Sequence, residues 1–342
     1  MAQPFSQRLL AWAKVHGRHG LPWHPKSGQA ADPYAVWLSE IMLQQTQLAS
    51  VLGYFQRFVS RFPSVQALAA AHLDDVLAVW SGLGYYARAR NLHAAARQVV
   101  AQGGFPHTAD GWSQLPGIGP STAAAIASVV YGERAAILDG NVKRVLARHS
   151  LRPEPWNSPA LTKALWPVAQ SLLPAQAADM PAYTQAIMDL GATICKPRQP
   201  DCARCPLQAD CQAFQRDDVQ EYPKPAVRKT RPTKASLWTL AQHEQSVALI
   251  QNPGQGLWGG LWVLPSEDLS PTELDQRADC DQRITHDFTH YRLQIGVVRQ
   301  QYRGRRPSQI NGHRVEWFDW RVALEMGLPK PVRQVIVWAA RG

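Results

Sequence analysis

The chain has 342 residues, with 36 Lys and Arg against 26 Asp and Glu for a net charge of +10, and 45% of its residues are hydrophobic. That is enough for two domains with a sizeable core, and it excludes a disordered or low-complexity chain. No apolar run reaches the ~18 residues of a membrane span and no secretory segment is seen, so a cytoplasmic, reducing location and no membrane partner are expected. The cationic surplus suits a nucleic-acid partner as well as plain solubility.

In chain order, Phe5 to Val15 reads as an amphipathic helix carrying Leu9, Leu10 and Trp12. Residues 35–60 carry Trp37, Ile41, Leu48, Leu52 and Phe55 at helical spacing. Within them, Val36-Trp-Leu-Ser-Glu-Ile-Met-Leu-Gln-Gln-Thr-Gln47 places Glu40 on a largely apolar helix, on one face with Leu43, Gln44 and Gln47. Taken alone this is a helix-surface glutamate, yet an acid among apolar neighbours can hold its proton near neutral pH. Residues 86–101, 120–131, 142–149, 159–172 and 181–194 repeat the helical texture between Gly- or Pro-rich breaks, with no long alternating strand.

In Leu115-Pro-Gly-Ile-Gly-Pro-Ser-Thr-Ala-Ala-Ala-Ile126, Gly117 and Gly119 permit a tight hairpin and a close backbone approach. Pro120 then opens a helix whose N-terminal N–H groups favour an anion, and Ser121 lies in that first turn. The next string, Ile137-Leu-Asp-Gly-Asn-Val-Lys-Arg-Val145, puts Asp139 at an Asp-Gly turn or a helix N-cap.

Cys195, Cys202, Cys205 and Cys211 stand within seventeen residues, with six, two and five residues between them. With only Cys280 besides, a disulfide framework is disfavoured. Four thiolates suit structural zinc or an iron–sulfur cluster. Zinc sites, however, usually pair two short knuckles, whereas here Cys202 and Cys205 form a single one. Pro197, Pro200 and Pro206 stiffen the loop, and Lys196, Arg198 and Arg204 make it cationic.

Residues 223–234 hold Pro223, Pro225 and Pro232 with Lys224, Arg228, Lys229, Arg231 and Lys234 and no acid, as an extended basic linker would. Strand character follows at 236–241 and 246–251, and Tyr291, Leu293, Ile295 and Val297 alternate with polar or small residues. Pro331 to Ala339 closes the chain as a helix.

These strings also carry resemblances. The cysteine spacing resembles the [4Fe–4S] loop of endonuclease III-type DNA glycosylases. The Leu-Pro-Gly-Ile-Gly string resembles a helix-hairpin-helix motif. With Asp139 about twenty residues beyond, it resembles the helix-hairpin-helix glycosylase superfamily, whose catalytic aspartate falls on Asp139. The Glu40 string resembles the MutY-type adenine DNA glycosylase family. So do Leu21-Pro-Trp23, Gly82-Leu-Gly-Tyr-Tyr86, Gln185-Ala-Ile-Met-Asp-Leu-Gly191 and Gly256-Leu-Trp-Gly-Gly260, and the likeness thins after residue 265.

The resemblance implies a mainly α N-terminal glycosylase domain over residues 1–222 with an iron–sulfur loop, then the linker 223–234 and an α+β Nudix-like domain over 235–342. It implies a monomer on double-stranded DNA, in a bacterial-type nucleoid, that removes adenine opposite 8-oxoguanine or guanine. Glu40 would protonate the purine and Asp139 would stabilise the sugar cation. The four cysteines would hold one [4Fe–4S] cluster. Gly117, Gly119 and Ser121 would grip a phosphate, and Gln45, Leu83 and Tyr85 would enter the duplex. Trp23, Asn141, Gln185 and Asp189 would line the adenine pocket, and Phe288, Thr289 and His290 would read 8-oxoguanine. Backbone-cutting relatives carry a lysine where Ser121 stands, so a monofunctional hydrolase is expected, against an endonuclease III-type lyase or a non-catalytic zinc-dependent DNA-binding protein. No Nudix catalytic box follows Gly260, which disfavours nucleotide hydrolysis by the second domain.

Overall fold

The computed structural model describes residues 3–25, 29–226, 230–254 and 256–340, so Arg228 and Lys229 of the basic segment lie outside the described residues. The chain forms two compact units: residues 1–56, 64–66 and 94–228 in the first, and 57–63, 67–93 and 229–342 in the second. Among the described residues, every strand follows residue 232, yet the second compact unit draws on both sides of the basic segment.

The first unit is helical. Its helices begin where the sequence supplies a cap and a proline: Asp32 accepts from the Tyr34 N–H ahead of Pro33–Leu43, and Ser158 accepts from the Leu161 N–H ahead of Pro159–Ser171. Leu9, Trp12, Val142, Leu146, Leu165, Tyr183 and Leu190 meet in one buried cluster. The apolar pattern over 35–60 is not one helix. It breaks after Leu43, the next helix starts at Leu48, and Gln45 takes a left-handed backbone at φ 57°. No Gly or Pro marks this break, so Gln47 leaves the face that helical spacing would give it beside Glu40.

Two helices of this unit touch at backbone distance. A Cβ added at Gly191, in Met180–Thr193, would lie 2.7 Å from the Asn141 Cβ and 3.0 Å from its backbone, in the first turn of Gly140–His149. Only glycine permits this approach.

The second unit contains the Leu73–Trp80 helix and a sheet of strand order Trp262–Val263, Ser246–Gln251, Thr233–His243, Arg292–Gln301, Gln282–Asp287. Thr233–His243 runs parallel to Arg292–Gln301, with Leu237 opposite Gly296, and antiparallel to Ser266–Leu269. The expected alternation holds at Leu293, Ile295 and Val297, which are buried. Gly296 is buried as well, because a Cβ there would lie 2.5 Å from Leu274 and 2.7 Å from the Cys280 Sγ. Cys280 is thus a packing residue of this face. The Lys330–Ala339 helix buries Val332, Val335 and Ile336 against Leu240, Leu249, Ile295 and Val297. Among the described residues no helix is long and apolar enough to cross a membrane.

Gly191→Ala is expected to destabilise the protein by ~1–3 kcal/mol through overpacking against Asn141. Chemical denaturation followed by far-UV circular dichroism checks it; an unchanged midpoint would mean that the helices can part freely.

Candidate active site

Glu40 lies in the last turn of Pro33–Leu43. Its residue is half-buried by area, but its carboxyl is enclosed by protein. Loss of water pushes its pKa up, the charge of Asp139 pushes it further, and Arg18 opposes both; the result is about 7. The two acids that the sequence singled out, ninety-nine residues apart, are therefore in electrostatic contact.

Asp139 is the N-cap of Gly140–His149, with Oδ1 accepting from the Val142 N–H at 2.7 Å. Burial raises its pKa and outweighs the N–H groups of Val142 and Asn141 and the charges of Arg144 and Arg18, which pull it down. A helix N-terminus favours a carboxylate over a carboxylic acid. Among the described residues Glu40 has no comparable set of donors, so the ionised form is better supported at Asp139. The strand-like approach to Asp139 is fixed from the hairpin helix: the Ser121 Oγ accepts from the Leu138 N–H at 2.9 Å.

Arg144 secures the other side of Asp139. Its guanidinium donates to the Asn141 side-chain oxygen at 2.8 Å, the Gly191 carbonyl at 2.6 Å and the Cys195 carbonyl at 2.7 Å. Asn141, expected in the adenine pocket, thus has its amide oxygen engaged by Arg144. One turn on, Arg148 is 2% exposed and donates to the Cys195 Sγ at 3.3 Å, to the Lys196 and Pro197 carbonyls, and to the Tyr222 carbonyl at 2.7 Å.

A second polar cluster adjoins the acids. Asp189 is 1% exposed; it accepts from the backbone N–H and Nε of Arg18 at 2.7 and 2.6 Å and from Gln185 Nε2 at 2.7 Å. His24 faces Gln185 and Asp189, and burial lowers its pKa. Trp23 is buried edge-on against Phe55 at 5.1 Å, so its ring is part of the wall. Of the expected pocket residues, Gln185 and Asp189 share this cluster, whereas Asn141 belongs to the Arg144 group.

The hairpin is formed by Ala109–Ser113 and Pro120–Tyr131. Gly117 is left-handed at φ 76°. Gly119 is extended, and a Cβ there would meet nothing within 4 Å. No side chain caps this helix, so glycine at 119 leaves its first-turn N–H groups open to an anion.

Gln45 and Tyr85 are both exposed and both left-handed, at φ 57° and 51°. Such backbones are uncommon outside glycine and gather at functional sites. Leu83, expected beside Tyr85, is instead buried at 7% exposure, because the turn folds its side chain inward. In the second unit, 288–291 is the tip of a hairpin closed by the Phe288 N–H on the Tyr291 carbonyl. Phe288 packs on Trp258, His286 and Tyr291, which leaves Thr289 and His290 exposed at the tip.

Cys195, Cys202, Cys205 and Cys211 line one small cavity with Arg148, Ile194 and Pro200. Burial and the neighbouring thiols push the thiols of Cys202, Cys205 and Cys211 up, that of Cys205 to about 12. Among the described residues, no three Cys, His, Asp or Glu converge as a single metal ion requires. Four soft donors around one cavity have the chemistry to hold a thiolate-bound metal centre.

Residues 38–168 match the HhH-GPD superfamily of base excision DNA repair proteins, and residues 237–338 match the NUDIX domain. A solved thermostable thymine-DNA glycosylase aligns at TM-score 0.54 and 27% identity, over 62% of this chain and 95% of its own. The adenine DNA glycosylase of Buchnera aphidicola subsp. Acyrthosiphon pisum is 35% identical over 97% of this chain and 96% of its own. The chain belongs to the adenine DNA glycosylase family. The Homo sapiens adenine DNA glycosylase agrees, at 33% identity over 89% of this chain and 68% of its own. The protein is thus an enzyme of base excision repair acting on N-glycosyl bonds, with a helix-hairpin-helix helical part and a Nudix-like α+β part.

Arg18, His24, Arg144 and Arg148 of these polar clusters carry no local signal in the sequence. Arg144 and Arg148 are one helical turn apart beside Val145 and Leu146, and basic residues there pass for the solvated face of a helix. Arg18 and His24 flank Leu21-Pro-Trp23, and nothing in their spacing ties them to Asp189.

The raised pKa of Glu40 has a stability consequence. Unfolded, it titrates near 4.5; folded, near 7. The fold therefore carries no penalty from Glu40 below about 4.5, a growing one as pH rises, and the full one above about 7. Glu40→Gln is expected to match the parent at pH 4 and to be more stable at pH 8. Denaturation midpoints at the two values check this, and a constant gap would exclude a buried, proton-holding Glu40.

Proposed function

We propose that the glycosylase hydrolyses the N-glycosidic bond of adenine mispaired with 8-oxoguanine or guanine in double-stranded DNA, as a monomer and without cutting the backbone. The observation that carries this is the coupled acid pair, with Glu40 protonated near neutrality and Asp139 held on a helix N-terminus. Adenine leaves poorly as an anion, and the sugar gains oxocarbenium character as the bond breaks. Glu40 donates its proton to the purine ring and its carboxylate then assists the attacking water. Asp139 stays ionised and stabilises the developing cation. The adenine must leave the stack to reach them. The first turn of Pro120–Tyr131, with Gly117, Gly119 and Ser121, holds a phosphate without reading sequence. Gln185 and Asp189, oriented by Arg18, border the base. Ser121 forms no Schiff base, which supports hydrolysis alone.

Adenine is a normal base, so selectivity rests on its partner. Gln45 and Tyr85 enter the duplex from their left-handed turns, and Thr289 and His290 on the Phe288-anchored hairpin read the lesion. Cys195, Cys202, Cys205 and Cys211 hold one [4Fe–4S] cluster. When bound, it supplies four iron–thiolate bonds that keep the 195–211 loop folded, and no step of excision passes through it.

Glu40→Gln and Asp139→Asn are each expected to slow single-turnover excision at least ~100-fold, with DNA affinity largely kept because phosphate contacts dominate it. Near-normal excision by either variant removes that residue from the mechanism. Anaerobically purified protein is expected to be yellow-brown with about four irons per chain. Stoichiometric zinc without iron rejects the cluster, and Cys280→Ser should leave the iron content unchanged.

A further inference from the structure

The turn at 82–86 is the most contorted stretch in the second unit's helical part. Gly82, Gly84 and Tyr85 are all left-handed, at φ 96°, 78° and 51°, and Tyr85 is 48% exposed. A projecting tyrosine in such a backbone persists only where its surroundings enforce it. Part of that enforcement is local. Trp80 Nε1 donates to the Gly84 carbonyl at 3.1 Å, Arg88 donates to the same oxygen at 3.2 Å, and its guanidinium lies over the Tyr85 ring.

The rest comes from the other end of the chain. The Tyr86 hydroxyl accepts from the Gly82 N–H at 3.3 Å and donates to the Leu328 carbonyl at 3.0 Å. Ser81 Oγ donates to that same carbonyl at 3.1 Å. Tyr86 and Leu328 are both buried, so each hydroxyl reaches a fixed, dry acceptor. A second feature brings the acceptor there. Gly327 passes so close to the Leu73–Trp80 helix that an added Cβ would lie 3.1 Å from the Leu77 Cβ and 3.3 Å from its backbone carbon. Its carbonyl is in turn tied to the Trp262 N–H at 3.0 Å.

We propose that Tyr86 and the Leu328 carbonyl form a positioning device for the duplex-inserting turn, so that residues of the Nudix-like part set the conformation of Tyr85. Tyr86 is a positioning residue: it meets no substrate and acts through Gly82 and the backbone that carries Tyr85. The Nudix-like part therefore contributes twice to selectivity, once through the 288–290 hairpin and once by shaping a turn some 240 residues earlier in sequence. This inference rests on the reading that Tyr85 enters the duplex.

The test uses full-length, cluster-loaded protein in a Glu40→Gln background, so that excision does not disturb the signal. The duplex carries adenine opposite 8-oxoguanine, with 2-aminopurine beside the 8-oxoguanine; its fluorescence rises when the stack is opened. Tyr86→Phe keeps the ring and removes both hydroxyl bonds. Gly327→Ala pushes the carbonyl away and leaves Tyr86 untouched. Each is expected to lose half or more of the fluorescence rise at unchanged DNA affinity. Without the Glu40 substitution, each should slow single-turnover excision about three- to tenfold, as the loss of one or two net hydrogen bonds implies. Phe288→Ala with His290→Ala should keep the rise, which separates the two contributions. If Tyr86→Phe and Gly327→Ala both give the full rise and the parent's excision rate, the proposal is overturned. If the parent itself gives no rise while still excising adenine, Tyr85 does not enter the duplex, and the reading beneath the proposal fails instead. Should Tyr86→Phe not fold, Gly327→Ala with Ser81→Ala carries the same comparison.

Discussion

The site depends on keeping two carboxyl groups out of bulk water and within electrostatic reach of each other. Either one alone in such a place would shed its charge; together they share the problem unequally. Asp139 sits on backbone N–H groups and near two guanidinium groups that reward ionisation. Glu40 has apolar surroundings and a negative neighbour, so it keeps its proton to about neutrality. An acid and a base thus arise from the same functional group by placement alone.

That placement is expensive to maintain, and the first unit is built around it. Gly191 lets one helix rest on the backbone of Asn141, which sets the start of the helix capped by Asp139. Arg144 then ties that first turn to the Gly191 and Cys195 carbonyls, and Arg148 ties the next turn to the cysteine loop and to Tyr222. Buried guanidinium groups are tolerated here because each donor meets a carbonyl or sulfur that would otherwise be unsatisfied. The cysteine loop is, in this sense, a buttress for Asp139, whatever else it does.

The second unit answers a different requirement, that of presenting side chains from a left-handed turn and an exposed hairpin tip. A sheet covered by the Lys330–Ala339 helix supplies a rigid base. Phe288 roots a hairpin tip in an aromatic cluster so that Thr289 and His290 can face outward. The turn around Tyr85 obtains its support from Leu328, at the far end of the same unit.

Much was legible in the residues alone. Helical spacing and caps marked most helices, alternation marked the Arg292–Gln301 strand, and the acid, glycine and cysteine strings marked the family and its site candidates, because each such signal is local. Contacts between distant segments leave no local trace. No Gly or Pro announces the left-handed break at Gln45, Leu83 looks as exposed on paper as Tyr85, and Arg144 and Arg148 read as solvated charges. The chain's chemistry, which acids, which thiols and which glycines, was set by sequence. Their pKa values, the inward turn of Leu83, the engagement of Asn141 and the union of Tyr86 with Leu328 were decided only by folding, since burial and partnership are properties of neighbours that the sequence holds far apart.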